Sequence, residues 1–408
     1  MITQNVEPSL PETGINVPIL DVDPFSEEFL ADPYAYHEAL RDAGPVVYLS
    51  SYNIYAMARF AEVQAALKDW QSFCSARGAG LTDFAREKPW RTPSLLIETD
   101  PPVHDRVRKI VGRVMSLSSL KANRGMLREK AETLVDALVA RGSFDAVTEL
   151  AERFPLIVFP ELVGMRDGGD THLLPYATLG FNAFGPRNRL LEEAERGAVD
   201  AVRWIAESCL RENLKPGGWG AQVYEAVDRG ECSEEEASLL VRSFLGAGVD
   251  TTINGIGNML YAFATHPGEW SRLREDPSLL KRAFDESLRW DSTIQTFFRT
   301  TNEDVQVGED LIPADSKVVL FLASANRDPR RWSEPDRFDI TRPPGGHVGF
   351  GFGIHQCLGQ MLARLEAEVI LEAMLPRIAD IRLAGPVVRR LNNTLHAFES
   401  MPVSIVPS

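Results

Sequence analysis

Phe350-Gly351-Phe352-Gly353-Ile354-His355-Gln356-Cys357-Leu358-Gly359 sets one cysteine among glycines, directly ahead of a run with helical period. Leu358, Met361, Leu362, Leu365, Val369, Ile370 and Met374 recur at that spacing. A thiol in this place faces backbone N–H groups and the positive end of a helix dipole, both of which favour the thiolate. Gly353 and Gly359 present no Cβ to hold a flat macrocycle away from the sulfur. A protein could hold a haem iron by a cysteine in this way. Taken alone, the segment is equally an ordinary turn around a buried thiol, and other segments decide between the two.

Composition narrows the classes. The 408 residues are 44% hydrophobic and carry a net charge of −15. No Pro/Gly/Ser-rich linker, repeat or low-complexity tract divides them, so a single domain over 1–408 is expected. No apolar run reaches the ~18 residues of a membrane span. Met1 to Pro24 is polar and lacks the basic-then-apolar order of a signal peptide, so a soluble, cytoplasmic protein is expected. Cys74, Cys209, Cys232 and Cys357 form neither a disulfide framework nor a C-x-x-C zinc pattern. The acidic balance argues against nucleic acid and anionic membranes as partners, and an acidic substrate would need local positive charge. Neither G-x-G-x-x-G nor G-x-x-x-x-G-K occurs, so electrons from a nicotinamide must arrive through another protein.

A helix is predicted from Pro33 to about Asp42. The alternating runs Val46 to Leu49 and Ile54 to Met57, joined by Ser50-Ser51-Tyr52-Asn53, predict a β-hairpin. From about Arg106 onward most long segments have helical period, with turns at Asp167-Gly168-Gly169-Asp170 and Lys215-Pro216-Gly217-Gly218. The expected class is mainly α with small β-sheets. One helix is predicted to run unbroken from the N-cap Ser233, with Glu236 completing a capping box, to His266 before Pro267. It would be about 50 Å long, and it is apolar nearly all round, so it must be buried. Its polar residues then need a reason. Asp250 and Thr251 follow Gly246 and Gly248, which weaken the helix and leave space beside it. On the residues alone, Thr251 could bond back to a carbonyl and Asp250 could pair with a cation, or both could serve chemistry. Arg242 in the same helix should find an anion, either a structural acid or a substrate carboxylate. Glu286 and Arg289, three apart, can pair on one helix face.

The cysteine segment fits F-x-x-G-x-H-x-C-x-G. With Ala247-Gly248-Val249-Asp250-Thr251 and Glu286-Ser287-Leu288-Arg289 upstream in order, the chain resembles the cytochrome P450 haem-thiolate monooxygenases over essentially its whole length. The resemblance implies the cytochrome P450 fold, haem b ligated by Cys357, and O2 as oxidant. It implies electrons from a separate iron–sulfur ferredoxin and an NAD(P)H-dependent ferredoxin reductase, for which basic residues such as Lys109, Arg113 or Arg364 would suit an acidic partner. It further implies that Asp250 and Thr251 deliver protons during oxygen activation, and that His104, Arg108, Arg299 and His355 meet the haem propionates. Glu286 and Arg289 would join Arg337, from Pro335-Asp336-Arg337-Phe338, in a buried structural network behind the thiolate loop.

More narrowly, the chain resembles bacterial cytochrome P450 enzymes that oxidise para-substituted benzoates such as 4-methoxybenzoate. The likeness lies in Glu87-Lys88-Pro89-Trp90-Arg91-Thr92-Pro93-Ser94, Phe181-Asn182-Ala183-Phe184-Gly185-Pro186, Gln295-Thr296-Phe297-Phe298-Arg299-Thr300 and Asn392-Asn393-Thr394-Leu395. It implies that Arg91 and Ser94, helped by Ser243, hold the carboxylate, and that Phe181, Phe184 and Phe297 clamp the ring. Arginine offers paired donors to a carboxylate, and aromatic faces hold a flat ring. One departure stands out: Gly246 occupies a place where those relatives carry a further serine, which removes a hydroxyl and enlarges the pocket. The expected reaction inserts one oxygen atom into the para substituent, so that 4-methoxybenzoate gives 4-hydroxybenzoate and formaldehyde. The alternatives are hydroxylation of another small aromatic or terpenoid substrate, and a haem-thiolate sensor or electron carrier. The Asp250–Thr251 pair counts against the second, and against a peroxide-driven oxygenase.

Overall fold

The predicted hairpin forms, with Val47 opposite Ala56 and Leu49 opposite Ile54 in antiparallel register. The structure is a computed structural model and describes residues 16–166, 169, 171–343 and 345–408. Most of the polar stretch Met1 to Pro24, and all but Gly169 of the turn expected at 167–170, lie outside the described residues. The hairpin belongs to a six-stranded sheet whose spatial order is Ile19–Leu20, Val47–Leu49, Ile54–Met57, Lys317–Phe321, Thr296–Thr301 and Phe73–Cys74. In the Thr296–Thr301 strand the two-residue period sends Phe298 into an apolar cluster with Phe25 and Phe321, and Phe297 and Arg299 to the other face. That face looks towards the helical part of the molecule, where Phe297 meets Phe184.

Helices dominate the remainder, as the sequence predicts. The Gln360–Met374 helix packs against Leu117–Val139 and Leu280–Trp290, and Asp250–Thr265 packs against Leu280–Trp290. Their apolar faces share one large core that includes Phe154, Phe159, Ile256, Phe263, Trp270 and Ile370.

The helix predicted to run unbroken from Ser233 to His266 is two helices, Glu234–Ala247 and Asp250–Thr265. The capping box at Ser233 and Glu236 is present in both of its hydrogen bonds. The break falls at Gly248 and Val249. The Phe159 ring fills the space a Cβ on Gly248 would need, 2.4 Å from that position. The Thr251 hydroxyl donates to the Ala247 carbonyl at 2.7 Å, taking the acceptor that a continuous helix would offer to a backbone amide. Asp250 therefore stands at a helix start, not in mid-helix.

Glu286 and Arg289 form a fully buried pair, with Arg289 Nε donating to Oε2 at 2.8 Å and Nη2 to Oε1 at 2.9 Å. The expected third member differs. The Arg337 side chain is 51% exposed and faces Glu334 and Asp339, and only its carbonyl joins, accepting from Arg289 Nη2 at 3.0 Å. Arg342 supplies the second guanidinium, its Nε 3.4 Å from Glu286 Oε1, and the Asp339 amide donates to the same oxygen at 3.1 Å. Arg289 also donates to the carbonyls of Asn326 and Pro335, and the Asn326 side chain accepts from the Val348 amide. The network thus ties down the segment leading into the cysteine loop. Glu286→Ala leaves buried guanidinium charge uncompensated and is expected to cost about 3 to 5 kcal/mol, read by urea unfolding. A loss below about 1 kcal/mol would show the pair to be dispensable.

Candidate active site

Cys357 precedes the Gln360–Met374 helix, and the backbone N–H groups of Gly359 and Gln360 bond to its sulfur. Among the four cysteines, Cys74 and Cys209 are buried and Cys357 is exposed. Burial of its surroundings nonetheless pushes the Cys357 thiol up, while those amides, Arg108 and Arg364 pull the other way. The sulfur is accessible yet poorly solvated, as in a cleft that faces inward. A positive ion at the sulfur is what would shift this balance to the thiolate. The glycine roles differ from the expected ones. Gly353 has φ +72° and packs against the main chain, with the Leu67 carbonyl oxygen 2.4 Å from where its Cβ would lie. Gly359 does border the sulfur, its Cβ position lying 3.9 Å from Sγ.

Basic side chains gather near this cleft, and two of them, Arg299 and Arg108, form no ion pair with a carboxylate among the described residues. Arg299 is buried and donates only to the Phe298 carbonyl, at 2.7 Å, and burial pushes its guanidinium down to about 10. His104 is buried with Nδ1 3.0 Å from Asp105 Oδ1 and Nε2 without any partner. Arg108 donates to the Gln356 carbonyl at 2.5 Å in the cysteine loop, and burial lowers its pKa too. His355 stacks edge-on against His104, with ring centroids 4.5 Å apart, but both of its nitrogens are taken, by the Leu96 carbonyl and Asp100. An uncompensated buried arginine and an orphaned histidine nitrogen beside an accessible thiol fit an anionic prosthetic group bound through sulfur. Haem with its two propionates meets that description. The two basic residues offered for a partner besides Lys109 are already engaged: Arg113 pairs with Glu231, and Arg364 with Asp285 while lying 4.5 Å over the Phe350 ring.

Asp250 is fully buried. Its carboxylate accepts from Arg390 Nη2 at 2.5 Å, Asn254 Nδ2 at 2.8 Å and Thr178 Oγ1 at 3.1 Å. Arg390, part of the Val388–Arg390 strand, is 25% exposed, so the acid reaches towards solvent through it. In the same stretch Ala247 is exposed, Gly246, Gly248 and Thr251 are half-buried, and Val249 and Asp250 are buried.

The segments expected to build a ring-binding wall do converge. Phe181 lies 6.1 Å from Phe184, and Phe184 lies 5.5 Å edge-on from Phe297. Asn393 bonds to Asn182 and Asn188, and the Thr394 hydroxyl donates to the Phe181 carbonyl, so Asn392-Asn393-Thr394-Leu395 holds this aromatic turn. Arg91 is present over the Phe184 ring at 5.1 Å, but its fork is not free. Nη1 and Nη2 donate to the two oxygens of Glu98 at 2.7 and 2.6 Å, and the Ser94 amide donates to Glu98 as well. The Ser94 hydroxyl accepts from the amides of Leu96 and Ile97, and the Ser243 hydroxyl bonds back to the Leu239 carbonyl at 2.9 Å. Arg242 finds no carboxylate among the described residues. It lies close enough to Tyr176 to lower that phenol's pKa, as does Arg91, against the larger raising effect of burial. The Tyr176 ring is also 3.4 Å from where a Cβ on Gly246 would stand. Tyr176, which sequence reasoning missed, thus lies against Gly246 and within electrostatic reach of Arg242 and Arg91. Glu98 was missed too, though an acid directly after Leu95-Leu96-Ile97 is a signal that it must find a cation.

Comparison with known proteins agrees with this arrangement. The Cytochrome P450 family profile matches residues 221–378. The chain is 51% identical to "Cytochrome p450 CYP199A2" of Rhodopseudomonas palustris over 396 residues, 97% of this chain and 96% of that protein. It is 32% identical to "Cytochrome P450 107B1" of Saccharopolyspora erythraea, over 94% of this chain and 97% of that one. Among solved structures, cytochrome P450 CREJ in complex with (4-ethylphenyl) dihydrogen phosphate superposes with a TM-score of 0.85 at 25% identity, covering 94% of this chain and 99% of that one. With identity of this degree running the length of both chains, around an accessible thiol at a helix start, the chain belongs to the cytochrome P450 family of monooxygenases.

Proposed function

We propose that this cytochrome P450 monooxygenase oxidises the para substituent of a small aromatic carboxylate, with 4-methoxybenzoate as the type substrate. One observation carries the reading. Phe181, Phe184 and Phe297 pack into one aromatic cluster, Arg91 lies over the Phe184 ring, and Arg242, without a carboxylate partner among the described residues, lies within electrostatic reach of Tyr176. A slot for a flat ring with a cationic neighbourhood fits a benzoate better than a neutral terpenoid. The CREJ complex adds support from a relative, since its ligand is a para-alkylated ring carrying an anion.

In the family, haem b held by a cysteine thiolate activates O2 so that one oxygen atom enters a substrate C–H bond. Here Cys357 is the ligand, and the amides of Gly359 and Gln360 stabilise its charge. Arg299, Arg108 and the free Nε2 of His104 take the propionates. Asp250 brings protons inward from the Arg390 side, and the Thr251 hydroxyl, held by the Ala247 carbonyl, passes them on at the helix break. Arg242 supplies the uncompensated charge for the substrate carboxylate. The Ser94 hydroxyl, which accepts from two amides, keeps its proton to donate to the carboxylate, Ser243 can donate only by turning from the Leu239 carbonyl, and Arg91 adds charge shared with Glu98. A ferredoxin and its reductase supply the electrons.

Reconstituted with a ferredoxin, a reductase and NADH, the protein should convert 4-methoxybenzoate to equal amounts of 4-hydroxybenzoate and formaldehyde. NADH consumption with neither product would remove the substrate assignment. The reduced carbon monoxide adduct should absorb far to the red of a histidine-ligated haem, and Cys357→His should lose that band. An imidazole-like band in the parent protein would remove Cys357 as the ligand.

A further inference from the structure

Lys317 is a buried lysine whose Nζ bonds, among the described residues, only to neutral oxygens, and burial pushes its pKa down to about 7. Its Nζ donates to the carbonyls of Gly78 at 2.8 Å, Thr82 at 3.1 Å and Arg77 at 3.3 Å, and to the Thr300 hydroxyl at 3.2 Å. Buried lysine charge normally finds a carboxylate. Here a turn of main chain has folded its carbonyl oxygens around the cation. Gly78, at φ +100°, lets the turn close, since a Cβ there would stand 2.6 Å from the Thr82 oxygen. A ring of carbonyl oxygens around a single positive charge is the coordination a small monovalent cation receives.

The same turn meets the proposed pocket at three points. Leu81 donates its amide to the Phe184 carbonyl at 2.8 Å. Gly80 packs against the Phe184 backbone, whose oxygen lies 2.6 Å from where a Cβ would be. The Ala79 amide donates to Glu98, the partner of Arg91, at 3.4 Å, and the Ala79 carbonyl accepts from the Phe298 amide, next to Phe297. Without a cation, the oxygens of Gly78 and Thr82 would face one another without the donor they share, the Arg77 oxygen keeping only the Phe84 amide, and the turn would have to open.

We propose that residues 77–82 form a monovalent-cation cradle which Lys317 fills from within the chain, and that this internal cation is a positioning device for the Phe184 wall and the Arg91–Glu98 pair. The cradle stands on its own contacts. Its consequence for substrate rests on the pocket reading above.

The test uses the haem-loaded Lys317→Met enzyme without substrate, with hydrogen exchange followed by mass spectrometry. Exchange over residues 77–84 should rise by roughly tenfold or more, while the reduced carbon monoxide spectrum stays as in the parent. Ammonium or potassium chloride should restore protection, and tetramethylammonium chloride at equal ionic strength should not, because its methyl groups cannot enter the oxygen ring. Unchanged exchange in the variant, or rescue that does not distinguish the small cations from tetramethylammonium, would overturn the proposal. Should Lys317→Met fail to accumulate with haem, Lys317→Gln, which keeps a polar chain without the charge, is read the same way. Because no substrate is present, a wrong substrate assignment leaves this result unaffected; it would show separately, as a failure of 4-methoxybenzoate to bind the unmodified protein.

Discussion

Thr251→Ala is expected to keep substrate binding and NADH consumption while most electrons leave as hydrogen peroxide, with product per NADH falling by about tenfold or more. The hydroxyl sits at the break between two helices, bonded to the carbonyl of the exposed Ala247 and next to the buried Asp250. Alanine removes the hydroxyl proposed to pass the proton on from Asp250 and leaves the neighbouring side chains alone. Asp250→Asn should act differently. The carboxylate is fixed by Arg390, Asn254 and Thr178, so an amide of the same shape keeps the packing but cannot accept and release a proton. Turnover should drop by about 10²-fold with coupling less affected than in Thr251→Ala. Oxygen uptake, peroxide and product measured together separate these cases, and unchanged coupling in Thr251→Ala would take the hydroxyl out of proton delivery.

Arg242→Ala is expected to weaken 4-methoxybenzoate by ten- to a hundred-fold, the span of a charge-assisted hydrogen bond at about 1.5 to 3 kcal/mol, while binding of 4-methoxyacetophenone changes little. Arg91→Ala should also weaken the acid, for a different reason. Arg91 is bidentate to a fully buried Glu98, so its removal leaves an unpaired negative charge near the substrate carboxylate. The double variant Arg91→Ala/Glu98→Gln should then recover part of the loss. If it binds the acid as poorly as Arg91→Ala, then Glu98 does not set the charge balance and Arg91 contacts the substrate directly. Gly246→Ser should tighten the acid modestly, since the new Cβ meets Tyr176 Cε1 at 3.4 Å and needs only a small adjustment of that ring.

The parts of this molecule legible in the sequence are those specified by neighbours in the chain. The capping box at Ser233, the hairpin, the cysteine ahead of its helix and the Glu286–Arg289 pair all rest on contacts within a few residues. The aromatic wall was legible only through resemblance, because Phe184 and Phe297 are brought together by the sheet and by Asn393. What escaped was set by partners distant in sequence. The predicted long helix breaks because Phe159, far upstream, fills the groove at Gly248. Arg342 displaces Arg337 at Glu286 because the turn at Asp339 aims one side chain inward and the other at solvent. Arg91 looked free because nothing in its own segment says that Glu98 folds back onto it, and Lys317 lay in a strand whose pattern gave no sign of the carbonyls around its amine.

The most direct measurement of the substrate claim is a titration of the purified ferric protein with 4-methoxybenzoate and with its neutral analogue 4-methoxyacetophenone, followed by the haem Soret band. An aromatic slot beside an uncompensated arginine predicts that the acid shifts the band and binds at least about tenfold more tightly than the ketone. Equal affinity for the two would contradict a carboxylate anchor and direct the search to neutral aromatics.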